Sequence, residues 1–442
     1  MNDLKAGFAR EVINPAMGIQ MAGYGDKPRK ATGILDDLEL NVIALQAGGK
    51  TALILAYDLC QIFTAPADSL RAFLAEKLNL PVDALFATAT HTHTGPTITP
   101  EYLELLKEWS LKAAKAAIAD LKPAKMGFKV GFAPEVAFVR RFRMKDGSVQ
   151  TNPGVGNPDI LAPIGDVDRQ VPVLRFDREG GETIVLVNFG NHPDTIGSTK
   201  LSADWPGFLR RTVEKTLEDT RCVFINGAEG DINHINVNAK DGDLNGVFND
   251  FDDVIRGYDH ARFMGRAMAG TVLQVYDKMN YREVDGIHYR SKIVNVPGNV
   301  PKPEEMEQAY RYAKLYDEGR AGEIPYKGMQ LTTVVFEAKR MIRMEHGPEI
   351  LPVSLAGLGI GPVALIGVQG EPFNAIGKAW KEAEEWEQVL PVCNTNGKEG
   401  YFPTAEAYAE GGYEARSSIF KGGVAEMLIA EGRELLKELK EA

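Results

Sequence analysis

The chain has 442 residues, 44% of them apolar and 25% charged, the composition of a soluble globular protein with length enough for one large domain or two or three smaller ones. Its net charge of −11 argues against a nucleic-acid partner or an anionic membrane surface, and no stretch approaches the ~20 apolar residues that a transmembrane helix needs. Cys60, Cys222 and Cys393 are odd in number and lack CxxC spacing, which excludes a disulfide framework and predicts buried hydrophobes.

The opening MNDLKAGFAREVINPAMG has no basic stretch followed by an apolar one, which predicts a cytoplasmic location. VIALQAGGKTALILAYDLC (42 to 60) reads as two strands around Gly48 and Gly49. Helices are predicted from Ala65 through Leu78 and from Tyr102 through Leu121, the second stopped by Lys122-Pro123. RRFRMKDGSVQTNPG (140 to 154) suits a hairpin turning at KDGS; its basic Arg140, Arg141, Arg143 and Lys145 are either solvated or form a rim for an anionic substrate group. TIVLVNFG (183 to 190), RCVFIN (221 to 226) and PVALIGV (362 to 368) read as buried strands, and residues 260 to 279 and 422 to 442 as helices. The charged stretch 301 to 320 reads as helical between strand-like GIHYRSKIVNV and TTVVFEAKRMI. The expectation is a mixed α/β fold, a layered sheet with helices, in one domain over residues 1–442 with a helical insertion or cap at 300–330.

Four apolar runs end in ligand-type residues. ALFATAT runs into His91 and His93, TIVLVNFGN into His192, RCVFINGAEGD into Glu229, Asp231 and His234, and PVALIGVQG into Glu371. Ligands bind beyond the carboxyl ends of strands in α/β sheets, so residues far apart in sequence can meet there. His91 and His93, at i and i+2, leave an extended segment on one face. Two imidazoles and a carboxylate then make a divalent-metal site with an open position. Each residue also has a plainer use: His192 in a turn before Pro193, Glu371 as a helix cap beside Pro372, Asp231 in an Asx turn, Asp204 as a cap.

HTHTGP, NFGNHPDT, NGAEGDIN, GVQGEPF and GYFPTAEAYAEGGYEA, with AGYGDKPRKATGILDDLELNVIAL near the start, resemble in order and spacing the catalytic domain of the neutral, non-lysosomal ceramidases. That resemblance implies a zinc ion (Zn2+) held by His91, His192, Glu371 and Tyr401. It implies that His93 and Tyr413 face the substrate carbonyl and that Arg140 holds substrate oxygen atoms. It also implies amide hydrolysis by metal-activated water, with the tetrahedral oxyanion stabilised by His93 and Tyr413. Asp231 and Glu229 then remain for orienting a histidine or delivering a proton to the leaving amine. Two departures bear on this. Asn233 and His234 stand where the family has a serine and a proline, so a serine nucleophile is ruled out. The chain also ends in a helix without the family's C-terminal β-sandwich, so a small or lipid-like N-acyl compound is at least as well suited as ceramide. The same ligand types also serve an esterase, a lyase or an iron(II) oxygenase, or a binding homologue that no longer catalyses.

Overall fold

A computed structural model describes residues 3–25, 28–250 and 254–441; Asp26 and Lys27 of the AGYGDKPRK opening, and residue 442 of the C-terminal helix, lie outside them. The strands in chain order are β1 (Lys5–Val12), β2 (Glu39–Ala47), β3 (Lys50–Tyr57), β4 (Leu85–Ala89), β5 (Lys122–Phe132), β6 (Gln170–Arg178), β7 (Thr183–Phe189), β8 (Thr220–Asn226), β9 (Ile287–Pro297), β10 (Ile350–Ile360), β11 (Val363–Val368) and β12 (Gln388–Val392). The main helices are α1 (Thr64–Leu78), α2 (Pro100–Ala119), α3 (Asp204–Thr216), α4 (Tyr258–Tyr276), α5 (Met306–Asp317), α6 (Gly328–Met344), α7 (Asn374–Lys381), α8 (Ala405–Glu410), α9 (Tyr413–Ser417) and α10 (Val424–Glu441).

Among the described residues the larger sheet has nine strands, eight of them in the order β8-β7-β6-β5-β1-β2-β3-β4, with Asn280–Arg282 added beside β5. It is mixed: β7 and β8 run parallel, as do β3 and β4, and the rest are antiparallel. A second sheet is ordered β9-β10-β11-β12, closed by a parallel β11–β12 pair. Alternate residues sort the strands between layers, as period-two geometry requires. Ile43, Leu45, Ile54, Phe176, Leu186 and Ile225 of the larger sheet meet Leu358, Leu365 and Leu390 of the smaller one in a shared core. The opposite face of the larger sheet packs on α1 and α2 at one side and on α3 and α4 at the other, and the smaller sheet packs on α7 and α10. The result is a four-layer mixed α/β fold in a single domain. Strands covered on both faces need apolar side chains on both, which is why the central runs read as unbroken hydrophobic stretches.

The larger sheet curls until its two edges approach, with β8 packed on β3 and β4. Asn226, at the end of β8, donates to the Thr90 carbonyl beyond β4, and Cys393, beyond β12, donates to the Asn226 carbonyl. Strand ends from opposite edges and from the second sheet therefore share one mouth. Arg210 on α3 locks this closure: its guanidinium pairs bidentately with Asp58, which follows β3, at 2.9 and 2.5 Å, and reaches Glu39 at 3.1 Å. Arg210 and Asp58 are both buried, so Arg210→Ala leaves a carboxylate stranded and is expected to lower stability by about 3–5 kcal/mol, read from urea unfolding. A midpoint shift within the scatter of exposed-site variants would overturn that role.

The hairpin, the helices and the buried strands fall where the sequence places them, and Gly48 and Gly49 turn the first hairpin with φ of 59° and 74°, the double positive φ of a tight two-residue turn. One expectation is corrected. Residues 332–342, strand-like by their Thr-Thr-Val-Val content, lie inside helix α6. Val334, Val335 and Ala338 bury against α5 and the loop after it through Met306, Ala309, Leu315 and Ile324, and this packing overrides β propensity. The helical segment therefore runs from Met306 to Met344, beyond residue 330.

Candidate metal centre and cavity

His91 and His93 do not leave a strand together. β4 ends at Ala89, and His91 adopts φ +74°, a left-handed conformation uncommon outside glycine. Its amide donates to the Leu59 carbonyl at 2.9 Å and its Nδ1 lies 2.7 Å from the Cys60 carbonyl. The turn, rather than strand alternation, aims the ring. His192, past the end of β7, is anchored likewise, with Nδ1 2.9 Å from the carbonyls of Glu229 and Ile232. A carbonyl only accepts, so in both rings Nδ1 carries a proton, and in the neutral ring Nε2 presents a lone pair.

Those lone pairs converge on Glu371. Its Oε2 lies 3.3 Å from His91 Nε2 and 3.2 Å from His192 Nε2, all three side chains being buried. Acceptors at such distances repel one another unless a positive charge lies between them. Tetrahedral donors sharing one ion at ~2.0–2.1 Å sit ~3.3 Å apart, so these separations fit a divalent metal. Burial alone would lower the His91 pKa, but the Glu371 carboxylate raises it well above the usual imidazole value. Burial, then Arg140, lowers that of His192. Glu371, despite burial, stays far below the usual carboxylate range because Lys398 and then His91 face it.

Glu371 and Tyr401 are partners in a two-residue parallel ladder, which explains how positions 30 apart in sequence come side by side. Tyr401 lines the same cavity as His91, His93, Glu371 and Tyr413. Its phenol is pushed well above the ordinary value by burial and then Glu371, with the neighbouring Arg140 acting in the opposite direction. Tyr413 opens α9, 5.7 Å from the Tyr401 ring and 5.8 Å from Phe336 between centroids. Burial pushes its pKa up to about 12, so it stays a hydrogen-bond donor near neutrality. His93 has its Nε2 3.3 Å from His91 Nε2, its Nδ1 has no partner, and burial, then His91, keeps it neutral.

Arg140 and Asp231 lie outside the cavity walls. Arg140 is buried behind His192, bonded to Glu414 at 2.7 Å, to the Gly230 carbonyl at 2.7 Å and 3.3 Å from His192 Nε2. Asp231 accepts from the Asn374 amide at 2.7 Å at the start of α7. The plainer uses thus exchange places: Asp231 serves the helix N-terminus, and Glu371 faces the imidazoles. Asn233 is buried in bonds to Asn152 and the Ile235 amide, and His234 pairs with Asp194 at 2.9 Å. The basic hairpin is largely neutralised, since Arg141 and Arg143 reach Glu410, and Arg141 also approaches Glu414.

Two residues escaped the sequence reading. Lys398 pairs with Glu371 Oε1 and donates to Gln61 at 2.7 Å. Glu414, beside Tyr413, is fully buried as the counter-charge to Arg140. Glu229, one of the two carboxyls the sequence leaves for supporting roles, has its donor atom within 4.8 Å of those of His91, His192 and Glu371 and is buried beside Cys393. Burial raises its pKa.

The fold and this cluster define a class, a mixed α/β protein with a histidine–carboxylate centre at the mouth of a curled sheet. Solved structures sharing that fold include a neutral ceramidase from Pseudomonas aeruginosa, at a TM-score of 0.74 and 17% identity, and a ceramidase complexed with C2, at 0.72 and 18%. Each alignment covers 100% of this chain and 75% of the other. No protein-family model matches the chain, and no curated protein does.

Proposed function

We propose that the chain is a zinc-dependent hydrolase of an N-acyl amide bond, related in reaction to the ceramidases whose fold it shares. The observation that carries this reading is the convergence of His91 Nε2, His192 Nε2 and Glu371 Oε2 within 3.2–3.3 Å beside a cavity that also presents His93 and Tyr413. His91, His192, Glu371 and Tyr401 would hold the metal. When bound, zinc supplies Lewis-acid polarisation and lowers the pKa of a water. The chain's own groups do the rest. Tyr413 keeps its proton and donates to the oxygen of the carbonyl as charge develops there, and neutral His93 adds a second donor from the same wall. Backbone carbonyls fix the ligand rings through their Nδ1 protons, which removes the cost of orienting them. Arg140, placed between Glu414 and Tyr401, supplies positive charge where a phenolate ligand needs it, and this support differs from holding substrate oxygens.

The test is metal analysis of protein purified without added metal, followed by assay on N-acyl amides before and after chelation. The reading expects about one zinc per chain, amide cleavage, and loss of cleavage on chelation that zinc reverses. Iron with oxygen uptake would replace the hydrolase by an oxygenase, and a zinc-loaded chain inert to every amide and ester would leave only a binding role.

A further inference from the structure

The cavity in front of His91, His93 and Glu371 encloses about 640 Å3, within the range that buries most of a drug-sized ligand. Met21, Phe63, Ile98 and Phe336 give its walls apolar surface. Two full cations, Lys398 and Arg343, also line it, and Glu371 is the single carboxylate among the lining residues. That carboxylate is already matched by Lys398 on Oε1, and its Oε2 faces the two imidazoles of the candidate metal centre. Arg343, an exposed side chain, meets no counter-charge among the described residues. Its neighbours in sequence are engaged elsewhere: Glu337 on α6 pairs with Arg416, Glu345 just past the helix meets Tyr310, and Arg340 is taken up by the carbonyls of Arg416 and Asn299. No ion pair or hydrogen bond ties Arg343 down among the described residues, although the chain as a whole is acidic.

Phe336 and Arg343 stand seven residues apart on one helix, two turns along the same face, so α6 offers the cavity an apolar contact followed by a cation. The helix is held close, since a Cβ at Gly25 would sit 2.3 Å from the Phe336 ring. A planar guanidinium with free donors matches a carboxylate bidentately. Resting on the amide-hydrolase reading, we propose that the substrate is an N-acyl amino acid, whose acyl chain lies along the apolar wall and whose carboxylate is taken by Arg343. In the reaction the oxygen of water bonds to the acyl carbon, the C–N bond breaks, and a water proton passes to the departing nitrogen, giving a carboxylic acid and an amino acid.

The experiment compares N-octanoylglycine with its uncharged counterpart N-octanoylethanolamine, using zinc-loaded wild type, Arg343→Ala and Arg343→Glu. A charge-assisted pair predicts a kcat/KM ratio about 10- to 100-fold in favour of the glycine conjugate in the wild type. That ratio should fall to near one in Arg343→Ala and reverse in Arg343→Glu. Calorimetric titration of the metal-free proteins with N-octanoylglycine should show weaker binding in Arg343→Ala and weaker still in Arg343→Glu. Cleavage of both amides at equal rates by the wild type, or a ratio unmoved by the substitutions, overturns this inference and leaves amide hydrolysis standing. Cleavage of neither compound, nor of any other amide, overturns the hydrolase reading and this one with it.

Discussion

Glu371→Ala should reduce bound metal from about one ion per chain to almost none and abolish amide cleavage. Among the described residues Glu371 forms an ion-pair contact with both imidazoles, and its Oε2 completes a donor set with the two Nε2 atoms. Removing it leaves two neutral ligands and a phenol, which hold a divalent ion far more weakly. The substitution has a second consequence, because Lys398 loses its buried partner. A stranded charge costs about 3–5 kcal/mol, so the alanine variant is also expected to melt earlier. Glu371→Gln keeps the volume and a carbonyl oxygen toward Lys398, and separates the effects: metal should still be lost while much of the stability returns. Elemental analysis and thermal unfolding of both variants check this. Full metal occupancy in Glu371→Gln would show that the carboxylate is not a ligand and that the cluster binds its ion elsewhere.

The strands that deliver these residues were legible because burial on both faces leaves a continuous apolar run, and each run ended where polar side chains became possible again. Convergence of the four ends was expected from open-sheet behaviour; the physical cause is different. His192 follows a strand next to one edge of the larger sheet, His91 follows the opposite edge, and Glu371 lies just past a strand of the second sheet, so curling and sheet stacking bring them together. Neither is written in local periodicity. The HTH spacing singled out two residues that line one cavity, but on strand alternation alone, which the positive φ of His91 breaks between the two rings. Lys398 was overlooked because a lysine in NTNGKEGY reads as a solvated loop residue, and only burial against Glu371 reveals its use. A signal for Glu414 did exist: consecutive arginines at 140 and 141 in an acidic chain call for buried carboxylates, and the glutamate beside Tyr413 was available. The helix over 332–342 was hidden because its partners in α5 and the following loop decide its state.

Tyr413→Phe is expected to lower kcat for amide cleavage by ~10²–10³, the usual effect of deleting one oxyanion donor, while metal content and unfolding midpoint stay at wild-type values. The argument rests on what the substitution removes. The ring keeps its contacts with Tyr401 and Phe336, so packing is preserved, and only the phenolic hydroxyl of this cavity-lining residue disappears. Because burial holds the Tyr413 pKa at about 12, the wild type should show no loss of activity through ionisation of this phenol until well above neutral pH. Tyr401→Phe supplies the contrast. Its phenol lies beside Glu371 in the ladder and next to Arg140, so its loss should appear chiefly as weaker metal retention under a competing chelator. On the proposed reading, the two tyrosines, 5.7 Å apart, separate a group that acts on the substrate from one that acts on the ion. Equal rate losses with equal metal loss in both variants would merge those roles and remove Tyr413 as a donor to the reacting carbonyl.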